Sequence, residues 1–71
     1  MWHNVLAMEK IKVFLAEGHA VVREGLRELI NREMDMVVVG KAGTGDEAVR
    51  RVKEIKLDVV LMDISMPGME Y

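Results

Sequence analysis

Two carboxylates stand out as candidates for chemistry: Glu17, which closes the apolar run Ile11–Ala16, and Asp63, which closes the run Leu57–Met62. If the fold turns both toward one crevice, they lie within reach of a single cation. Two clustered carboxylates with nearby loop carbonyls suit Mg²⁺, a hard ion that prefers oxygen ligands and keeps several waters. Such a site serves phosphate chemistry.

Other candidates carry less. His19 reads as an exposed residue in the first turn of a helix, and no catalytic role is assigned to it. The seven methionines read as core filler, because Met36, Met62 and Met66 fall in or beside apolar runs. Gly43-Thr44-Gly45-Asp46-Glu47-Ala48 formally fits G-x-G-x-x-A, with an acid about twenty residues on at Asp63. As a dinucleotide site it is poor: Asp46 and Glu47 place negative charge where a pyrophosphate would bind a helix N-terminus. Gly40-Lys41 is no phosphate loop, having no glycine at the required spacing before it and Ala42 after it.

The elements that must position the two acids follow from periodicity. Ile11–Ala16 is short, mostly apolar and β-branched at two positions, which predicts a buried strand ending at Glu17-Gly18. Val22, Leu26, Leu29 and Ile30 recur at helical spacing and predict a helix from about Ala20 to Arg32. Its solvated side pairs Glu28 with Arg32 at i,i+4. A second strand over Met36–Val39 leads to a glycine-rich loop from Gly40 to Gly45. Thr44 and Glu47 have capping-box spacing for a following helix. That helix carries Ala48, Val49, Val52 and Ile55 inward and ends near Lys56. Leu57–Met62 is the third strand, and Pro67-Gly68 behind it suits a type II turn.

Strand, helix, strand, helix, strand, with strands apolar on both faces, is an α/β pattern with a parallel sheet. In such sheets the functional crevice lies beyond the carboxyl ends of the strands, where strand order reverses. The order 2-1-3 brings Glu17 and Asp63 to that crevice.

Composition narrows the classes of function. At 71 residues the chain is one domain or less, and 51% hydrophobic with 31% charged residues describes a folded protein. Ten basic and twelve acidic residues are interleaved, which offers nucleic acid no basic stripe. No cysteine is present, so thiolate chemistry and cysteine-ligated zinc are excluded. No apolar run is long enough to cross a bilayer, and a cytoplasmic location is the expectation. Residues 1–10 read as a leader outside the fold, with Met8-Glu9-Lys10 as an alternative start and no function given to Trp2 or His3.

Val13-Phe14-Leu15-Ala16-Glu17-Gly18-His19-Ala20-Val21-Val22-Arg23-Glu24-Gly25-Leu26, taken with Val59-Val60-Leu61-Met62-Asp63-Ile64-Ser65-Met66-Pro67-Gly68-Met69, resembles the receiver domain of response regulators, particularly the branch with helix-turn-helix output domains. The resemblance covers nearly all of Ile11–Met69 and implies the first half of a doubly wound, flavodoxin-like fold. It implies that Asp63 accepts a phosphoryl group from a histidine kinase. It further implies that Glu17, Asp63 and the backbone carbonyl of Ser65 ligate Mg²⁺, the protein being a substrate and switch and not an enzyme. Gly18 stands where the family's acidic pair has its second aspartate, which implies Mg²⁺ binding that is weak or absent and impaired phosphotransfer. Glu70-Tyr71 stands where this branch usually has Asp-Gly. Residues 11–71 therefore read as a receiver truncated before the strands that carry the rest of the switch.

That reading exposes a third strand whose side chains are almost all apolar and whose outer edge has no neighbour. Open apolar edges favour association, so a homodimer is expected, by pairing of third strands or by exchange of elements. A self-associating structural fragment without phosphotransfer is the alternative function.

Overall fold

The computed structural model describes residues 9–68; the expectations placed on residues 1–8 and on Met69, Glu70 and Tyr71 lie outside this range. Five elements alternate: β1 (Ile11–Ala16), α1 (Ala20–Asn31), β2 (Met36–Ala42), α2 (Gly45–Val52) and β3 (Val59–Met62). All strand pairs are parallel and the order is β2-β1-β3. The fold is the βαβαβ half of a flavodoxin-like receiver fold, as the periodicity and the resemblance predict.

β1 is the most deeply buried strand, with Phe14 and Leu15 fully enclosed. Its alternating side chains serve both faces of the sheet. Phe14 and Ala16 join Ala42, Ala48 and Met66 in one core, against which Val52, Ile55 and Leu57 pack. Val13 and Leu15 are buried on the opposite face.

β2 is longer than its apolar run. Gly40, Lys41 and Ala42 continue the strand beside Phe14, Leu15 and Ala16, and the register slips by one residue between Val13 and Phe14. The predicted loop from Gly40 to Gly45 therefore shrinks to Gly43-Thr44. Gly40 is needed for close approach: a Cβ there would lie 2.8 Å from the Phe14 ring and 2.9 Å from Ile55. The glycine read as loop punctuation is a packing residue.

α1 matches its predicted span to one residue, ending at Asn31 with Arg32 as cap. The Asn31 side-chain oxygen accepts the Val38 N–H at 2.8 Å and ties the helix end to β2. Surface pairing differs from the expected Glu28–Arg32 contact: Arg27 donates to Glu24 at 2.6 Å, and Lys41 reaches the same carboxylate at 3.3 Å. α2 begins as predicted. Thr44 accepts the Glu47 N–H at 3.2 Å, and the Glu47 carboxylate accepts the Gly43 N–H at 3.1 Å. It stops at Val52, short of Lys56, because the chain turns through Lys53 and Glu54, whose N–H bonds the Arg51 carbonyl at 3.0 Å. Ile55 still reaches the core from this turn.

β3 starts at Val59, two residues later than predicted. Asp58 clamps the start of β1 instead. Its carboxylate accepts the Lys12 N–H and its own N–H donates to the Lys12 carbonyl, both at 2.8 Å. Among the described residues neither helix backbone packs closely against β3, although Leu26 of α1 shares a groove with Leu61 and Met62. Val59, Val60, Leu61 and Met62 are accordingly 37–46% exposed, the bared apolar edge strand that the sequence reading expects. Val22, Leu29 and Val49, predicted to point inward, are also about half exposed, because a three-stranded sheet offers too little surface to cover both helices. Among the described residues no helix is long and apolar enough to cross a membrane.

Candidate functional site

The site forms where β1 and β3 end side by side. Parallel pairing places Ala16 beside Met62, so the residues that follow, Glu17 and Asp63, leave the sheet together. Backbone bonds hold both exits: the Glu17 N–H donates to Ala42 at 3.0 Å, and the Asp63 N–H donates to Ala16 at 3.0 Å. A groove of ≈ 290 Å³ opens beside them, lined by Leu15, Leu26, Leu61 and Met62 as well as both acids.

Glu17 is buried and anchored. Its carbonyl accepts from Arg23 at 2.7 Å. One carboxylate oxygen, Oε2, accepts the His19 N–H at 3.0 Å and faces the His19 ring nitrogen Nδ1 at 2.7 Å. Facing a carboxylate, that ring nitrogen acts as the donor. His19 thus belongs to the site, although the sequence predicts only an exposed residue in the first turn of a helix; its side chain is exposed as predicted, and its nitrogens are tied to Glu17. Its i+2 spacing from Glu17 was the signal available: a chain turning into a helix brings such a pair together.

Asp63 sits in a tight turn closed by Ser65. The Ser65 N–H donates to Oδ1 at 3.0 Å and the Ser65 hydroxyl to the same oxygen at 2.8 Å. These two bonds hold the Asp63 carboxyl below the ordinary carboxylate range, with smaller contributions in the same direction from Glu17 and His19. Asp63 is therefore an anion at neutral pH, with Oδ1 engaged. Ser65, expected to contribute its carbonyl, meets Asp63 through its N–H and side chain.

Ligand atoms of Glu17, His19 and Asp63 all lie within 4.8 Å of one another. The two predicted carboxylates are brought together, and an imidazole joins them. Glu17 and Asp63 are the oxygen donors this site offers a hard divalent cation, which completes its shell with waters, while His19 sets an imidazole beside them and position 18 holds glycine. Gly18 is not demanded by the backbone. A Cβ there would meet Pro67, Gly43 and Met66 at 3.4–3.5 Å, ordinary contact distances.

Behind the site, the Gly45 N–H at the start of α2 donates to the Pro67 carbonyl at 2.7 Å. Together with the Thr44 and Glu47 caps, this bond occupies amides that a dinucleotide phosphate would need, so the G-x-G-x-x-A pattern serves helix capping and loop docking.

Comparison with known proteins agrees with this geometry. The family model for the response regulator receiver domain matches residues 13–70. The chain is 50% identical over 60 residues to the uncharacterized transcriptional regulatory protein YhcZ of Bacillus subtilis, covering 84% of this chain and 28% of that protein. It is 48% identical over 59 residues to the uncharacterized transcriptional regulatory protein YxjL of the same organism, covering 83% and 27%. The oxygen regulatory protein NreC of Staphylococcus aureus is 49% identical over 57 residues, covering 80% and 26%. The chain thus spans about a quarter of the length of these curated relatives.

Proposed function

Because the chain belongs to the response regulator receiver domain family, we propose that it is a phosphoacceptor module whose Asp63 takes a phosphoryl group from a histidine kinase. The observation that carries the reading is Asp63 itself: an anion at the carboxyl end of β3, oriented by Ser65 through one oxygen only. The second oxygen, Oδ2, is then the nucleophile. It attacks the phosphorus of a phosphohistidine, an O–P bond forms as the N–P bond breaks, and the electron pair returns to the kinase imidazole, neutral because its other nitrogen carries the proton. A divalent cation, when bound, would offset charge on the transferring group; Glu17 and Asp63 are the oxygen donors for it. With glycine at position 18, Mg²⁺ binds weakly and transfer is slow. The module is a substrate and switch and does not turn over. The names of its relatives extend the reading to regulation of transcription, without direct DNA contact by this segment, whose charges are interleaved.

The test is incubation with an acyl phosphate across a range of Mg²⁺, followed by intact mass. One added phosphoryl group on the wild type and none on Asp63→Asn is the expected result. No addition at any Mg²⁺ concentration overturns the reading.

A second reading is favoured by β3. Among the described residues it is an edge strand, with four apolar side chains exposed and neither helix backbone packed closely against it. We infer a homodimer that covers this strand, formed by edge pairing or by exchange of elements; the same surface supports self-association even if phosphotransfer is lost.

A further inference from the structure

We infer that Arg23 is a positioning residue for the acid pair: its guanidinium holds the backbone at Glu17 and so sets where the Glu17 carboxylate stands beside Asp63. The inference rests on the phosphoacceptor reading for its purpose, while its geometry lies outside the cluster of acids. Arg23 sits one turn into α1. Its backbone N–H donates to the His19 carbonyl at 2.8 Å, and its Nη1 donates to the Glu17 carbonyl at 2.7 Å. The two bonds grip the turn Glu17-Gly18-His19 at both ends.

The sheet explains why a side chain is required there. Glu17 still joins the β1–β2 ladder through its N–H, which donates to Ala42 at 3.0 Å. A continuing parallel ladder would meet the Glu17 carbonyl with a further amide of β2. But β2 ends at Ala42, and the chain turns through Gly43 to Thr44, the cap of α2. Glu17 is buried, and a buried carbonyl without a donor is costly, so Arg23 supplies from α1 the bond that β2 no longer gives. Gly43 leaves room for it: a Cβ there would lie 3.1 Å from Arg23 Nη1. One guanidinium thus joins α1, the end of β1 and the turn between β2 and α2. Arg27, the next arginine along the same helix, instead pairs with Glu24, which marks the inward reach of Arg23 as particular to its place.

The rival explanation is that Arg23 serves stability alone. NMR titration of the full chain with Mg²⁺, followed on the Glu17 and Asp63 carboxyl carbons, separates the two, the ion serving as a probe of how well the acids are placed. Arg23→Met keeps most of the stem and removes the donor. It is expected to raise the Mg²⁺ midpoint about tenfold, the scale of loss when a bond supporting a ligand is removed. Arg23→Lys restores a donor and should recover part of that loss, whereas Arg27→Met should leave the midpoint unchanged. Should Arg23→Met fail to fold, the wild type still decides: the Arg23 side-chain N–H signals should shift with Mg²⁺ at the same midpoint as the carboxyl carbons, and those of Arg27 should not. A folded Arg23→Met with the wild-type midpoint, or Arg23 signals indifferent to Mg²⁺, overturns the inference, as does a wild type whose carboxyl carbons do not respond at all. No phosphodonor enters these measurements, so failed phosphorylation with an Arg23-dependent midpoint would sink only the phosphoacceptor reading.

Discussion

Gly45 donates its amide to the carbonyl of Pro67 across 2.7 Å, and so fastens the turn behind Asp63 to the first residue of α2. Gly68 makes this contact possible. Its φ is +85°, a conformation that L side chains rarely adopt, and a Cβ there would lie 2.9 Å from the Gly45 nitrogen. Gly68→Ala should destabilise the fold by about 1–3 kcal/mol through backbone strain and loss of the clamp. Urea unfolding followed by circular dichroism measures it, and an unchanged midpoint would show that the clamp is energetically idle.

Gly40 and Gly25 should respond in opposite directions to the same change. At Gly40 an added methyl meets Phe14 and Ile55 inside normal contact distance, whereas at Gly25 nothing lies within 4 Å. Gly40→Ala should cost about 1–3 kcal/mol by overpacking. Gly25→Ala, mid-helix in α1, should gain about 0.5–1 kcal/mol by removing a flexible residue. Equal effects from the two substitutions in paired thermal melts would contradict the packing described here.

Ser65 supplies the main influences on the Asp63 carboxyl. Ser65→Ala removes the hydroxyl donor and should raise the Asp63 pKa toward its ordinary 3.8. The sign for stability follows: a carboxyl whose folded pKa is depressed stabilises the fold above the unfolded value and loses that contribution as pH falls through the folded one. Wild type and variant should therefore converge in strongly acid solution and differ above about pH 4. Carbon-detected NMR titration of the Asp63 side chain in metal-free buffer checks the shift, and a variant titrating with the wild type would remove Ser65 from this role.

Val60 lies at the centre of the uncovered strand and pairs in register with Phe14. If dimers form by pairing β3 edges, Val60→Lys or Val60→Pro should give monomers or unfolded chain, since charge and proline both oppose edge pairing. Light scattering at high micromolar concentration decides, and a folded wild-type monomer there would dispose of the dimer.

Periodicity alone was enough to place β1, α1 and the start of α2, because a buried strand and an amphipathic helix write their contacts into the spacing of their own residues. Asp63 and Glu17 were legible for a related reason: each ends an apolar run, and strand ends in a parallel sheet are where side chains meet solvent. Boundaries set by distant residues were not legible. Gly40 became part of β2 only because Phe14 needs the space, and β3 begins at Val59 because Asp58 bonds to Lys12 across 46 positions of sequence. His19 changed role for the same reason. Its type and position are local facts, but its place beside two carboxylates depends on the β1–β3 register, and donor atoms far apart in a chain become one site only when the sheet sets the distance between them.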